Sequence, residues 1–99
     1  MTYRVYFSRS AEDDFLSIID FIAADNPNRA LSFVDELQKR TIEQLAAFPR
    51  SGRTYGSFRY LVLDNYVVAY DVNETAKAVH VLLVSERHRL WRELLDERN

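Results

Sequence analysis

The spacing of apolar residues divides the first part of the chain into a strand and a helix. Apolar and more polar side chains alternate over 3–7, which predicts a half-buried strand. Ser10 is a candidate helix N-cap, and Asp13 then places an acid in the first turn, where it favours the helix dipole. The apolar residues that follow recur at intervals of three and four, as in an amphipathic helix: Phe15, Ile18, Ile19 and Ile22.

A second helix is predicted directly after the first. Asn26 is a candidate N-cap, and Pro27 suits the first helical position, where its missing N–H costs no hydrogen bond. Because the connection is so short, we expect the two helices to form an antiparallel pair. A largely apolar stripe continues along the second helix through Ala30, Phe33, Val34, Leu37, Thr41, Leu45 and Phe48.

The second half of the chain predicts three strands and a last helix. The segments 58–64 and 66–72 have the composition of strands joined by a tight turn at Asp64-Asn65. Residues 78–85 form an almost continuous apolar run, which is typical of a central strand buried on both faces. Helical spacing then returns through Leu90, Trp91, Leu94 and Leu95.

The predicted order is β-α-α-β-β-β-α, which indicates one α+β domain over residues 1–99. Strands that follow one another through tight turns form antiparallel meanders, and the helix pair is expected to cover one face. We therefore expect a helical hairpin packed on a small antiparallel sheet. A chain of 99 residues with 47% hydrophobic residues is large enough for one core and too apolar to be disordered.

Composition excludes several kinds of chemistry. The chain has no cysteine, which excludes disulfides, thiolate nucleophiles and cysteine zinc sites. Its two histidines are too far apart for ligand spacing, and no glycine-rich phosphate loop or serine nucleophile motif is present, so no metal or cofactor is expected. Neither a signal peptide nor an apolar run of about 20 residues is found, so we expect a cytoplasmic protein without membrane contact.

Basic and acidic residues are separated along the chain although the net charge is only −2. Residues 10–26 carry acids and no base, whereas residues 47–60 carry arginines and no acid. Arginine forks bind phosphates, and the neighbouring Tyr55 and Tyr60 could stack on bases, although an ordinary solvated loop explains the same residues. The arginines of this loop are Arg50, Arg53 and Arg59, and Arg59 shares a strand face with Leu61 and Leu63.

A second basic cluster lies in VSERHRLWR, residues 84–92. His88 could act as a general acid or base because the reference pKa of histidine lies near neutrality. Arg87, Arg89 and Arg92 could stabilise a developing phosphate charge. The alternative is that the charged residues decorate an exposed helix face while Trp91 anchors the helix. The other histidine, in the apolar run 78–85, is expected to be structural.

Taken in order, these segments resemble the RelE/ParE superfamily of bacterial toxins from type II toxin–antitoxin systems. The resemblance covers nearly the whole chain and is carried by SAEDDFLSIIDFIAADNP, ALSFVDELQKRTIEQLAAFPRSGR, FRYLVLDNYVVAYDV and VHVLLVSERHRLW. It implies the fold predicted above and a cognate antitoxin as partner. The antitoxin would cover the helical pair or the sheet, and its expected contacts on the helices are Phe15, Ile19, Ile22, Phe33 and Leu37.

The resemblance implies one of two activities. RelE-like members are ribosome-dependent mRNA endoribonucleases, whereas ParE-like members inhibit DNA gyrase. RelE-like nucleases typically have an arginine where this chain has Val67, and a tyrosine where it has Trp91. Two expected catalytic groups are therefore missing, and the spacing of AFPRSGR and FRYL resembles ParE. We expect a ParE-like gyrase inhibitor, with a RelE-like ribonuclease as the alternative.

Each activity assigns a role to the basic residues. For a gyrase inhibitor no residue is catalytic, and the target would be gyrase itself. For a ribonuclease acting on the ribosome and mRNA, Arg59 and Arg87 would hold the scissile phosphate, with His88 as general acid or base. The residues expected to contact the target are Arg50, Arg53, Arg59, Arg87, His88, Arg89, Trp91 and Arg92.

Overall fold

A computed structural model describes residues 2–98 as three helices packed on a five-stranded sheet. The strand order across the sheet is β1-β5-β4-β3-β2. The predicted α+β architecture is confirmed, with one additional strand. The elements in chain order are β1 (Arg4–Phe7), α1 (Arg9–Asp25), α2 (Pro27–Ala47), β2 (Arg53–Tyr55), β3 (Phe58–Leu63), β4 (Tyr66–Asn73), β5 (Ala78–Glu86) and α3 (Trp91–Arg98).

The sheet is mixed, so the prediction of an antiparallel sheet was wrong for one strand. β1 runs parallel to β5, with Val5 opposite Val79, whereas β2 to β5 pair antiparallel in sequence order. The chain leaves β1 through a two-helix crossover, and a crossover of that length permits a parallel neighbour where a tight turn does not. The extra strand β2 has three residues, two of them exposed, and so lacks an apolar pattern.

The helix boundaries follow local capping, with one exception. Asn26 caps α2 as predicted: its side chain accepts a hydrogen bond from the Arg29 N–H at 3.2 Å, and Pro27 is the first helical residue. Helix α1 begins earlier than expected, because Ser8 rather than Ser10 is its N-cap. The Ser8 N–H donates to the Val81 carbonyl at 2.9 Å, so a contact with β5 places the cap.

Helices cover both faces of the sheet and create two apolar clusters. The hairpin of α1 and α2 packs on one face, where Val68, Tyr70 and Val81 are fully buried. The short α3 packs on the other face. Because both faces of β4 and β5 are covered, residues 78–85 need apolar side chains almost throughout. The cluster under α3 consists of Val67, Ala69, Leu83, Trp91 and Leu95.

A bulge in β5 changes the face of the sheet toward which the side chains after it point. Ala69 pairs with Leu83, but Tyr70 pairs with Val81, so Leu82 has no partner in β4. Beyond this point Leu83 joins the cluster under α3, and Val84 faces the hairpin. Such a bulge disrupts the ladder locally and redirects its side chains.

Candidate functional site

Trp91 fixes α3 on the sheet. Its side chain is 3% exposed, and its ring lies 4.7 Å from that of Tyr60 and 5.6 Å from that of Tyr55, measured between centroids. Trp91 thus anchors the last helix, as in the alternative interpretation of residues 84–92 in which the charged residues decorate an exposed helix face. Because its ring is covered, the surface that a partner meets here is made by its neighbours.

Arg92 stacks on the outside of this group. Its guanidinium carbon lies 4.4 Å from the Trp91 ring centroid and 5.6 Å and 5.9 Å from the centroids of Tyr60 and Tyr55. The Tyr55 hydroxyl donates to Asp96 at 2.9 Å, and this hydrogen bond raises the pKa of the phenol above its ordinary value. We call Tyr55, Tyr60, Trp91 and Arg92 the Trp91 cluster.

The turn between β5 and α3 presents the second group of basic side chains. Arg87, His88 and Arg89 are exposed, and no hydrogen bond or ion pair within residues 2–98 engages their side chains. Their backbone is held instead: the Arg87 N–H donates to Asn65 at 2.8 Å, and the Arg89 N–H donates to Glu86 at 3.1 Å. The backbone of the turn is therefore fixed, while its three side chains extend into solvent.

Arg53 belongs to the same surface. It lies opposite Tyr60 in the β2–β3 pair, and directly opposed residues point to the same face of a sheet. Its exposed side chain is therefore on the side of the sheet that carries the Trp91 cluster. The pairing thus places Arg53 beside Tyr60, whose ring contacts Trp91 and Arg92.

Arg59 lies on the opposite face and has a structural partner. It is half-buried and opposes Tyr70, beside the hairpin, as its shared face with other apolar strand residues predicted. Its guanidinium donates to the carbonyl of Gly52 at 3.0 Å, and the Gly52 N–H donates to the Tyr70 hydroxyl at 2.9 Å. A Cβ at residue 52 would lie 2.5 Å from that hydroxyl, so only glycine fits.

Arg50 is also engaged within the protein. Its guanidinium pairs with Glu74, which accepts a further hydrogen bond from the Tyr3 hydroxyl. The bond from Tyr3 and then the bond from Arg50 lower the pKa of Glu74 below its ordinary value. Arg50 and Arg59 both line a cleft of 180 Å³ that also contains acidic side chains.

The groups of the alternative nuclease site are far apart in this arrangement. Arg59 opposes Tyr70, whereas Arg87 follows Glu86, which opposes Tyr66. Four residues of β4 separate these positions, which is about 13 Å along a strand. Arg59 also belongs to the hairpin side of the sheet, whereas the last turn leads into α3 on the other side.

Val67 occupies the place where RelE-like nucleases have an arginine. It is 2% exposed and packs in the cluster under α3 beside Trp91. The tryptophan belongs to the same buried cluster, so the surface above Val67 is closed.

A groove between α1 and α2 carries exposed apolar side chains. Its volume is 550 Å³, and Glu12 and Asp35 lie among its lining residues. Of the residues expected to contact an antitoxin, Ile19 lines it half-buried and Phe15 lies at its floor with only 2% exposed, while Leu37 is buried in the core. Ile22 and Phe33 pack half-buried against that core.

Sequence reasoning missed the most exposed apolar residues of this groove. Leu16 and Leu31 line it and are 60% and 68% exposed. Both lie off the stripe that faces the sheet, and the available signal was a second apolar row on the outer side of each helix. Phe21, outside the groove, is 65% exposed.

The remaining histidine, His80, is exposed on β5. Its ring stacks on that of Tyr6 at 5.4 Å between centroids. It points away from the apolar face because side chains alternate along β5 at this point. Within residues 2–98 no group of three or more histidine, cysteine or acidic side chains could hold a metal ion. In the same range no helix has the length and hydropathy needed to cross a membrane.

One protein family matches the sequence over most of its length. The family model described as ParE toxin of type II toxin-antitoxin system, parDE, matches residues 5–91. The chain belongs to the ParE toxin family. It is therefore a toxin of the RelE/ParE superfamily from a type II toxin–antitoxin system, as the resemblance implied. No match was found among curated proteins.

Solved structures share the fold of this ParE-family toxin. A chain of the chromosomal ParDE system of P. aeruginosa superposes with a TM-score of 0.74 at 18% identity, covering 86% of this chain and 96% of that one. A chain of the toxin–antitoxin complex RelBE2 of Mycobacterium tuberculosis superposes with a TM-score of 0.70 at 18% identity, covering 90% of this chain and 95% of that one. A mutant of the E. coli toxin RelE in complex with an antitoxin RelBc peptide superposes with a TM-score of 0.61 at 20% identity, covering 100% of this chain and 96% of that one.

The family match ends within the candidate site. Trp91 is the last matched residue, so Arg92 and the remainder of α3 lie beyond the ParE family region.

Proposed function

We propose that this ParE-family toxin inhibits DNA gyrase by binding it, without catalysis, and is neutralised by a cognate antitoxin. The observation that carries the proposal is the closed surface above Val67. Val67 and Trp91 stand where RelE-like nucleases have an arginine and a tyrosine, and here both belong to one buried cluster. Loss of a proton-transfer group and of a charge-stabilising group typically costs about 100-fold in rate or more for each.

The target surface is proposed to combine the Trp91 cluster, Arg53 and the turn 87–90. Leu90 in this turn is 74% exposed, next to arginines without partners. Exposed apolar side chains bordered by arginine and aromatic residues are typical of protein–protein interfaces. This composition favours a protein target over recognition of an RNA backbone alone. Arg50 and Arg59 contribute to the proposal only indirectly, because both have partners within the protein.

The groove between α1 and α2 is the proposed site of the antitoxin. Leu16 and Leu31 would lose exposed apolar area on contact, which is favourable at about 25 cal/mol per Å² buried. Glu12 and Asp35 lie among the lining residues of the groove and favour a helix with apolar residues at intervals of three and four and basic flanks. Gyrase and the antitoxin both belong to the cytoplasm, so the proposal places the toxin there.

Inducible expression in bacteria, followed by two biochemical assays, tests the proposal. The purified toxin is expected to inhibit DNA supercoiling by gyrase and to leave mRNA on translating ribosomes uncut. His88→Ala should reduce gyrase inhibition only mildly, whereas Arg87→Ala combined with Arg92→Ala should weaken it at least tenfold. Arg40→Ala, which removes an exposed arginine on α2, is the matched control.

The alternative activity has a distinct outcome in the same assays. If the toxin cut ribosome-bound mRNA, and if His88→Ala abolished both that cleavage and growth arrest, the ribonuclease would replace the gyrase inhibitor. Supercoiling unaffected by saturating toxin would also reject gyrase as the target. Antitoxin binding is tested separately, by titrating the toxin with the product of the adjacent gene.

A further inference from the structure

One half of the β5 edge has no neighbouring strand. β1 ends with Phe7 opposite Val81, so β5 continues from Leu82 to Glu86 without a partner on that side. Backbone groups at such an edge need other partners when they are shielded from water.

Two side chains supply these partners. The Val84 N–H donates to Asp14 of α1 at 2.9 Å, and the Leu82 carbonyl accepts from Arg98 of α3 at 3.0 Å. The guanidinium of Arg98 also donates twice to the Asp14 carboxylate, each bond measuring 2.8 Å. The pair therefore takes the place of an edge strand, with one acceptor and one donor directed at β5.

The pair also joins the two layers that lie on opposite faces of the sheet. Asp14 belongs to the hairpin layer and Arg98 to the last turn of α3, and the pair crosses the edge exposed by the short β1. Their side chains are only 15% and 21% exposed. Removing one partner of a shielded pair leaves the other charge without compensation.

Helix α3 needs anchors of this kind. It has eight residues, about two turns, which is too short for a stable isolated helix. Trp91 holds its beginning, Asp96 receives the hydrogen bond from Tyr55, and Arg98 holds its last turn. Loss of the Arg98 contacts would leave α3 held only by Trp91, Leu95 and the hydrogen bond from Tyr55 to Asp96.

We propose that Asp14 and Arg98 are positioning residues for target binding, which hold α3 so that Arg92 and the turn before it keep the geometry that the target requires. The location of the target surface rests on the proposed function. The pair itself does not touch the target in this arrangement.

Arg98→Gln tests the inference, with Arg40→Gln as the control. The control breaks an exposed ion pair, also 2.8 Å long, between Arg40 of α2 and Asp64 of the β3–β4 turn, so it involves no residue of α3. Two readouts follow the Asp14–Arg98 pair and α3 without any target present. They are hydrogen exchange of the Val84 amide and the fluorescence emission of Trp91, the single tryptophan. Arg98→Gln should speed exchange of that amide by about tenfold or more and shift the emission to longer wavelength.

Function is measured on the same variants. Growth inhibition by Arg98→Gln should fall at least tenfold, while antitoxin affinity should stay within about twofold because the groove lies on the other layer. Arg98→Lys keeps the charge but cannot present the same fork of donors, so it should lie between Arg98→Gln and the wild type. Circular dichroism confirms that each variant is folded, and the lysine variant serves if the glutamine variant is not.

Two results would overturn the inference. Val84 exchange and Trp91 emission in Arg98→Gln that match Arg40→Gln would show that the pair does not position α3. Altered readouts with full growth inhibition would show that the position of α3 does not matter for the target. A wild-type toxin that arrests growth without inhibiting gyrase would reject the proposed target, whereas both readouts of the pair would remain valid.

Discussion

Replacing Trp91 by alanine is the most informative single test of how the α3 side is built. The wild-type side chain is 3% exposed and lies among two tyrosine rings and the guanidinium of Arg92. Truncation of a buried tryptophan typically costs about 3–5 kcal/mol. A domain of this size is usually stable by about 5–15 kcal/mol, so Trp91→Ala should remain folded with a much lower urea midpoint.

Its neighbour provides the matched control. Leu90 is 74% exposed, and Leu90→Ala should change the free energy of unfolding by less than about 0.5 kcal/mol. Unfolding is followed by circular dichroism in urea, because the first variant has no tryptophan to observe. A loss below about 1 kcal/mol for Trp91→Ala would mean that α3 does not dock as described, and both the closed surface above Val67 and the proposed absence of catalysis would lose their basis.

The remaining predictions concern Gly52 before β2, the stability of the protein at acidic pH, and the groove between α1 and α2. Gly52→Ala should destabilise the fold by about 1–3 kcal/mol in thermal unfolding, since its Cβ would meet the Tyr70 hydroxyl. The pKa of Glu74 is lowered in the folded protein. Its contribution to folding stability is therefore present above the unfolded pKa near 4.5 and is lost as the pH falls through the folded pKa. Glu74→Gln should therefore flatten the decline of stability in acid. Leu31→Asp should weaken antitoxin binding at least tenfold in calorimetry and leave the urea midpoint unchanged, because this leucine is exposed.

Features with a local cause could be predicted from the sequence. Asn26 and Pro27 specify a helix start by themselves, and the apolar run 78–85 indicates a strand covered on both faces. The continuous apolar run also indicates that β5 lies in the interior of the sheet. The alternation of side chains along a strand places Arg59 on the same face as its apolar neighbours.

Features that depend on distant contacts could not be predicted. Ser8 and Ser10 are equivalent as caps until β5 is in place to accept the Ser8 N–H. The parallel β1 and the three-residue β2 have no distinguishing local pattern. In the candidate site, the arginines of residues 50–59 divide between the two faces because β2 and β3 pair in one register, which charge alone does not reveal.

The substitutions that remove the nuclease groups make sense as a pair. An arginine in place of Val67 would be buried beneath Trp91, and a buried charge without a partner is costly. Valine at residue 67 avoids this cost, and the large ring of Trp91 adds apolar contact area in the same cluster under α3. The two residues that differ from the RelE-like pattern thus both belong to the cluster that docks α3, and this packing supports the proposed binding role.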